Sequence, residues 1–149
     1  MHQVYVSIGS NIDPNKNITI VKGHLNGLFD CTFSSLYETI SEGFEGNNFI
    51  NCVVGFETDI ELIELRENLK KIEKDMGRTL SQKGMSNRVI DLDLILYGNL
   101  VTEDENFDIP SKDIEHFAFI LEPLAEIAGD LKHPISKRSF SSMLKHLKP

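Results

Sequence analysis

Residues 49–77 read FINCVVGFETDIELIELRENLKKIEKDMG, a strand pattern that runs directly into a helix pattern. FINCVVGFET, 49–58, is rich in β-branched and aromatic residues, which suit a pleated, buried surface. Thr58 and Glu61 have the T-x-x-E spacing of a capping box. Leu62, Leu65, Leu69, Ile72 and Met76 then recur at helical steps and form one apolar stripe. Gly77 stands where a helix commonly ends on a left-handed glycine. Downstream, a polar loop over 78–87 leads to VIDLDLILY, 89–97, another strand. Upstream, HQVYVSI alternates as a strand and is expected to end in a turn at Gly9, Ser10 and Asn11. Asp13 or Asn15 is expected to cap a helix running towards Phe29, with Pro14 near its first turn. TFSSLYE, 32–38, reads as a second strand, and SEGFEGNN, 41–48, as a loop. The order β-α-β-β-α-β is that of the ferredoxin-like motif, so an α+β fold with an antiparallel sheet is expected. Beyond it, FDIP at 107–110 reads as extended, a short helix is expected over 113–121, and SFSSMLKHLK, 139–148, is expected to form a final helix. No repeat or linker interrupts residues 1–149, which read as one domain.

Composition narrows the function. The chain has 149 residues, 40% of them hydrophobic and 26% charged, with a formal net charge of -8. That balance argues against a general nucleic-acid binder, which needs a basic footprint. Seven of the fifteen Lys and Arg nevertheless fall between Arg66 and Arg88. Such a stretch is either a solvated helix face or a place to meet a small anion. Cys31 and Cys52 make no C-x-x-C pair, and a reduced cytoplasm is the expected setting. The N-terminus lacks the pattern of a signal peptide, and no apolar run approaches the ~18 residues that would span a membrane. A monomer is expected, with a dimer left open. The five histidines show no metal-ligand spacing. Cys52 is expected to point into the core, away from Asn51, which argues against a nucleophile.

Asp91 and Asp93 are the anomaly in the strand at 89–97. Side chains alternate along a strand, so the two carboxylates share a face, with Val89 and Ile95 on their side and Leu92, Leu94 and Leu96 on the other. Two neighbouring carboxylates repel, so one is protonated, a cation lies between them, or both are solvated on an open edge. With oxygen ligands alone the natural cation is Mg²⁺, which takes one or two carboxylates together with substrate phosphates. Arg78 and Arg88 bracket the preceding loop, and a guanidinium grips phosphate through paired hydrogen bonds. No G-x-x-x-x-G-K-[ST] is present, so a P-loop is not the means of nucleotide binding. On these residues alone a Mg²⁺-dependent phosphohydrolase stays open.

Taken in order, VYVSIGSN, LYET with NFIN, IEKDMGR, RVIDLDLILYG and FDIP…FAFILEPLAEIAGD resemble the 6-hydroxymethyl-7,8-dihydropterin pyrophosphokinase family. The resemblance covers most of residues 4–135. It implies that ATP transfers a pyrophosphoryl group to the pterin hydroxymethyl, releasing AMP, in folate biosynthesis. It implies that Asp91 and Asp93 hold two Mg²⁺ ions and that Arg78 and Arg88 bind the phosphates. Lys70, Glu73, Leu94, Ser111 and Lys112 would complete the nucleotide side. Thr39, Ile40, Phe49, Asn51 and Phe119 would form the pterin side, the flat ring lying between Phe49 and Phe119. Asn51 offers a donor and an acceptor to the ring edge. The implied partners are ATP and a pterin alcohol, without nucleic acid or membrane. The chain departs from the family pattern at Ile40, Leu80, Met85, Ser111 and Phe117, mainly on the ATP side. A diverged, weakly active or non-catalytic paralogue is the alternative.

Overall fold

The computed structural model describes residues 1–39, 48–77, 89–104 and 107–147. Its centre is β1 (His2–Ser10), flanked on one side by β4 (Phe49–Thr58) and on the other by β5 (Asp91–Tyr97), both antiparallel to it. β2 (Thr32–Phe33) and β3 (Tyr37–Thr39) pair antiparallel with the outer side of β4. The order β2-β4-β1-β5, with β3 also on β4, is the expected ferredoxin-like sheet.

Alternation along β1 builds two cores. Val4, Val6 and Ile8 face α1 (Pro14–Leu28) and α2 (Leu62–Asp75), where they meet Ile18, Val21, Leu25, Leu65, Leu69 and Ile72. Tyr5 belongs to the opposite face, covered by Ile114 of α3 (Asp113–His116), by Leu121 and Leu124 of α4 (Ala118–Ala128) and by Phe140 of α5 (Phe140–Leu147). A hairpin of β6 (Thr102–Glu103) and β7 (Asp108–Ile109) follows β5.

Local expectations are corrected in six places. Asp13 stands at the N-cap of α1 but makes no side-chain cap hydrogen bond. Gly9 and Ser10 are not a turn: β1 continues through both because they still pair with β4. The segment 32–38 is two short strands, since the Ser34 hydroxyl accepts the Val53 amide at 2.9 Å and interrupts the backbone ladder. The capping box is not formed. Thr58 stays in the ladder opposite His2, its hydroxyl accepts the Ile60 amide at 3.1 Å, and α2 starts after Glu61 without a side-chain cap. The helix over 113–121 divides at the extended residue Phe117, and its second part runs on to Ala128. Finally, β5 does not alternate throughout. A register shift between the pairs Tyr5–Leu96 and Val6–Leu94 leaves Ile95 as an extra residue, so Leu96 joins Ile95 in the α4–α5 core and Tyr97 turns to the α1–α2 core. Gly77, at φ 93°, ends α2 as expected. The peptide before Pro110 is cis. No helix among the described residues is long and apolar enough to cross a membrane.

His133 fastens the turn that leads into α5. It is 1% exposed, and its Nδ1 accepts the amides of Ile135 and Ser136 at 3.1 and 3.3 Å. Glu115 lies 3.6 Å from Nε2. Burial pushes the imidazole below its usual 6.5, and Glu115 only partly opposes this. The folded state therefore favours the neutral ring. The stability this contributes is complete above the unfolded value near 6.5 and is lost as pH falls from there through the lower folded value. His133→Gln should flatten the dependence of Tm on pH between about 7 and 5 relative to wild type. Parallel Tm profiles for the two proteins would contradict this role.

Candidate active site

The pairing register lines up one row across the sheet. Asp91 is opposite Gly9, Gly9 is opposite Asn51, and Asn51 is opposite Tyr37. Directly paired residues point to the same face, so Asp91 and Asn51 share the face that α4 partly covers. Strand spacing sets their backbones about 10 Å apart, across Gly9. A neighbouring row runs from Asp93 through Ser7 to Val53. Asp91 is half-buried and Asp93 exposed.

Gly9 is the opening between the two halves. A Cβ there would lie 3.0 Å from Asn51 Oδ1 and 3.7 Å from Phe49 Cδ1. Asn51 is itself buried, and its Nδ2 donates to Thr39 Oγ1 at 2.9 Å. Thr39 is opposite Phe49, which is half-buried on the same face. The sheet thus brings together four of the expected residues, Thr39, Phe49, Asn51 and Asp91, with Asp93 one step further along β5. Phe119 sits in the first turn of α4, which packs over β3 and β4, and its ring is tilted against Phe117 at 5.0 Å between centroids.

The described residues expected on the nucleotide side are dispersed. The Glu73 carboxylate is buried and directed at β5, where Oε2 accepts the Leu92 amide at 2.7 Å. This amide lies between the two aspartates, so Glu73 holds the strand that carries them instead of facing outward. Leu94 is half-buried and packs with the α1–α2 core, on the side away from the aspartates. Lys70 is exposed on α2. The Lys112 ammonium is paired with Glu103 at 2.8 Å, and that partner raises its pKa. Ser111 donates its amide to the Ile95 carbonyl at 2.9 Å, and its hydroxyl accepts the Asp113 amide. Ile40, Arg78 and Arg88 lie outside the described residues. Cys52 is fully buried in the α1–α2 core, and burial pushes its thiol up to about 11, away from any nucleophilic role.

Among the described residues no group of three His, Cys, Asp or Glu side chains could hold a metal ion. Asp91 and Asp93 are a pair of hard oxygen donors at a partly open face. That donor set fits Mg²⁺, which completes its shell with water and substrate phosphate oxygens. Gly9 was missed by sequence reasoning, and its signal was a glycine at the end of an alternating strand. Tyr37 and Glu126, which tie β3 to α4, were also missed.

The family model for 7,8-dihydro-6-hydroxymethylpterin-pyrophosphokinase matches residues 5–129. The chain is 31% identical to the 2-amino-4-hydroxy-6-hydroxymethyldihydropteridine pyrophosphokinase of Haemophilus influenzae, over 92% of this chain and 88% of that protein. It is 32% identical to the Aquifex aeolicus protein of the same name, over 100% of this chain and 92% of that one. It is 34% identical to the folic acid synthesis protein fol1 of Pneumocystis carinii, over 93% of this chain but only 19% of that longer protein. The Plasmodium falciparum HPPK-DHPS crystal structure with SDX-DHP superposes with a TM-score of 0.73 at 13% identity, over 98% of this chain and 43% of that one, a likeness of fold.

Removing the Glu73 carboxylate leaves the Leu92 amide without that acceptor. Glu73→Ala should cost about 1–3 kcal/mol in denaturant unfolding, and Glu73→Gln, which keeps an acceptor oxygen, should cost less. Equal losses in the two variants would show that the bond to Leu92 is not what Glu73 contributes.

Proposed function

The chain belongs to the 7,8-dihydro-6-hydroxymethylpterin-pyrophosphokinase family, and on that premise we propose that ATP is its donor and 6-hydroxymethyl-7,8-dihydropterin its acceptor. It is an enzyme that transfers pyrophosphate in folate biosynthesis. In the proposed reaction the hydroxymethyl oxygen bonds to the β-phosphorus of ATP. The bond from that phosphorus to the oxygen bridging the α-phosphorus breaks, AMP leaves with that oxygen, and the hydroxyl proton is released to solvent. The observation that supports this reading best is the row Asp91–Gly9–Asn51, which puts a metal-compatible carboxylate and a buried amide on one face.

The residues of the row have roles suited to their surroundings. Asn51 and Thr39 meet the polar edge of the pterin, and Phe49 and Phe119 hold its faces; Ile40 is assigned to the pterin from the sequence. Gly9 leaves room for the hydroxymethyl group to extend towards β5. Asp91 and Asp93 would hold Mg²⁺, two ions in the full complex, which when bound supplies positive charge against the triphosphate. Glu73 fixes the backbone between those carboxylates. Arg78 and Arg88 are assigned to the phosphates from the sequence, as are Lys70, Leu94, Ser111 and Lys112 to the nucleotide. Lys112 would have to leave Glu103 to take part. Residues 1–149 act as one domain in this reading, as a monomer in a reducing cytoplasm. The two free thiols are in keeping with that setting.

Purified protein with Mg²⁺ and ATP should release AMP only when the pterin alcohol is present. Asp91→Asn and Asp93→Asn should each lower kcat by about 10²–10³ while leaving the unfolding transition nearly unchanged. Phosphate release without pterin would favour a phosphohydrolase. Pterin binding without AMP would favour a non-catalytic paralogue.

A further inference from the structure

Glu126, near the C-terminal end of α4, collects three hydrogen bonds from the β2–β3 edge of the sheet. Its Oε1 accepts from the Tyr37 hydroxyl at 2.5 Å. Its Oε2 accepts from the Ser35 amide at 2.9 Å and the Ser35 hydroxyl at 3.1 Å. Nothing in the transfer chemistry above uses this carboxylate. We propose that Glu126 is a positioning residue for pterin, setting the gap between β3 and α4 through Tyr37 and Ser35.

The geometry carries this in four steps. β3 has three residues, and among the described residues its ladder bonds are to β4 alone, so its own pairing holds it weakly. The Ser34–Ser35 break precedes it, so β2 does not stiffen it as a continuous strand would. Tyr37 is opposite Asn51, and Thr39, two residues on, accepts the Asn51 amide hydrogen bond. Phe119 lies seven residues before Glu126, about two turns or 10 Å along the same side of α4. One carboxylate therefore ties the strand bearing Thr39 to the helix bearing Phe119. The Tyr37 hydrogen bond, followed by those from Ser35, holds the Glu126 carboxyl below the usual range. Burial, and then Glu126, push the Tyr37 phenol up to about 12, so the donor keeps its proton throughout the working pH range. The clamp is at the protein surface, where water competes, so its effect should be graded rather than absolute.

The proposal rests on the pterin reading, and the test separates the two. In Tyr37→Phe and Glu126→Ala, the Kd and KM for the pterin alcohol should rise by about three- to tenfold each, the scale of one or two lost hydrogen bonds. The Kd for MgATP and kcat at saturating pterin should not change. Glu126→Gln, which keeps acceptor capacity, should recover part of the loss. In the double variant the Tyr37→Phe effect should vanish, because its partner is already gone. Hydrogen exchange on the ligand-free proteins should quicken at the β3 amides and stay constant in β1. Unchanged pterin affinity in the folded variants overturns the clamp. So does a parallel loss of MgATP and pterin affinity, which marks general loosening. Unchanged β3 exchange overturns it even if the wild-type chain binds no pterin, an outcome that by itself would overturn only the reading of the substrate.

Discussion

The register of β1 against its two neighbours is the constraint on which the rest depends. Gly9 faces Asp91 on one side and Asn51 on the other. A one-residue slip of β5 would turn Asp91 and Asp93 into the α1–α2 core and bring Leu92 to the open face. That slip would bury two carboxylates among Val6, Ile8 and Ile72, at a cost well beyond that of exposing a leucine. The hydrophobic pattern of β5 therefore positions the carboxylate pair as well as the fold. The extra residue at Ile95 lets the same strand serve a polar site at one end and two apolar layers at the other.

Among the described residues β5 is an edge strand, and edge strands need their outward groups satisfied. Glu73 takes the Leu92 amide, and the Ser111 amide takes the Ile95 carbonyl. The Ser10 hydroxyl donates to the Val89 carbonyl at 2.5 Å, at the entry to the strand. These contacts come from α2, from the segment after β7 and from β1, so three parts of the chain hold the strand that bears both aspartates. On the opposite side, Glu126 does the same service for β3. Rigid framing on both sides suits a reaction in which two substrates must meet at a defined separation.

Much of this was legible in the sequence. The strand at 49–58 and the apolar stripe of α2 are strong periodic signals, and together they decide the fold. The shared face of Asp91 and Asp93 follows from strand alternation alone. Other features depend on partners distant in the chain. Thr58 has the spacing of a cap, but its pairing with His2 keeps it in the sheet. Glu73 looks like one more polar residue of α2 until β5 is laid beside it. Leu96 breaks alternation because of a bulge that no local pattern announces. Gly9 reads as a turn residue because glycine's local meaning is flexibility, whereas its use here is the space left beside Asn51.

The carboxylate pair and the row proposed to bind pterin are adjacent on one face. Mn²⁺ in place of Mg²⁺, with a non-hydrolysable ATP analogue and the pterin alcohol, tests this through paramagnetic relaxation of the pterin protons. Backbones about 10 Å apart across Gly9 predict strong broadening of the hydroxymethyl protons. The broadening should collapse when both Asp91 and Asp93 are changed to Asn, with pterin still bound. Bound pterin whose hydroxymethyl protons stay sharp in the wild-type Mn²⁺ complex would contradict the account.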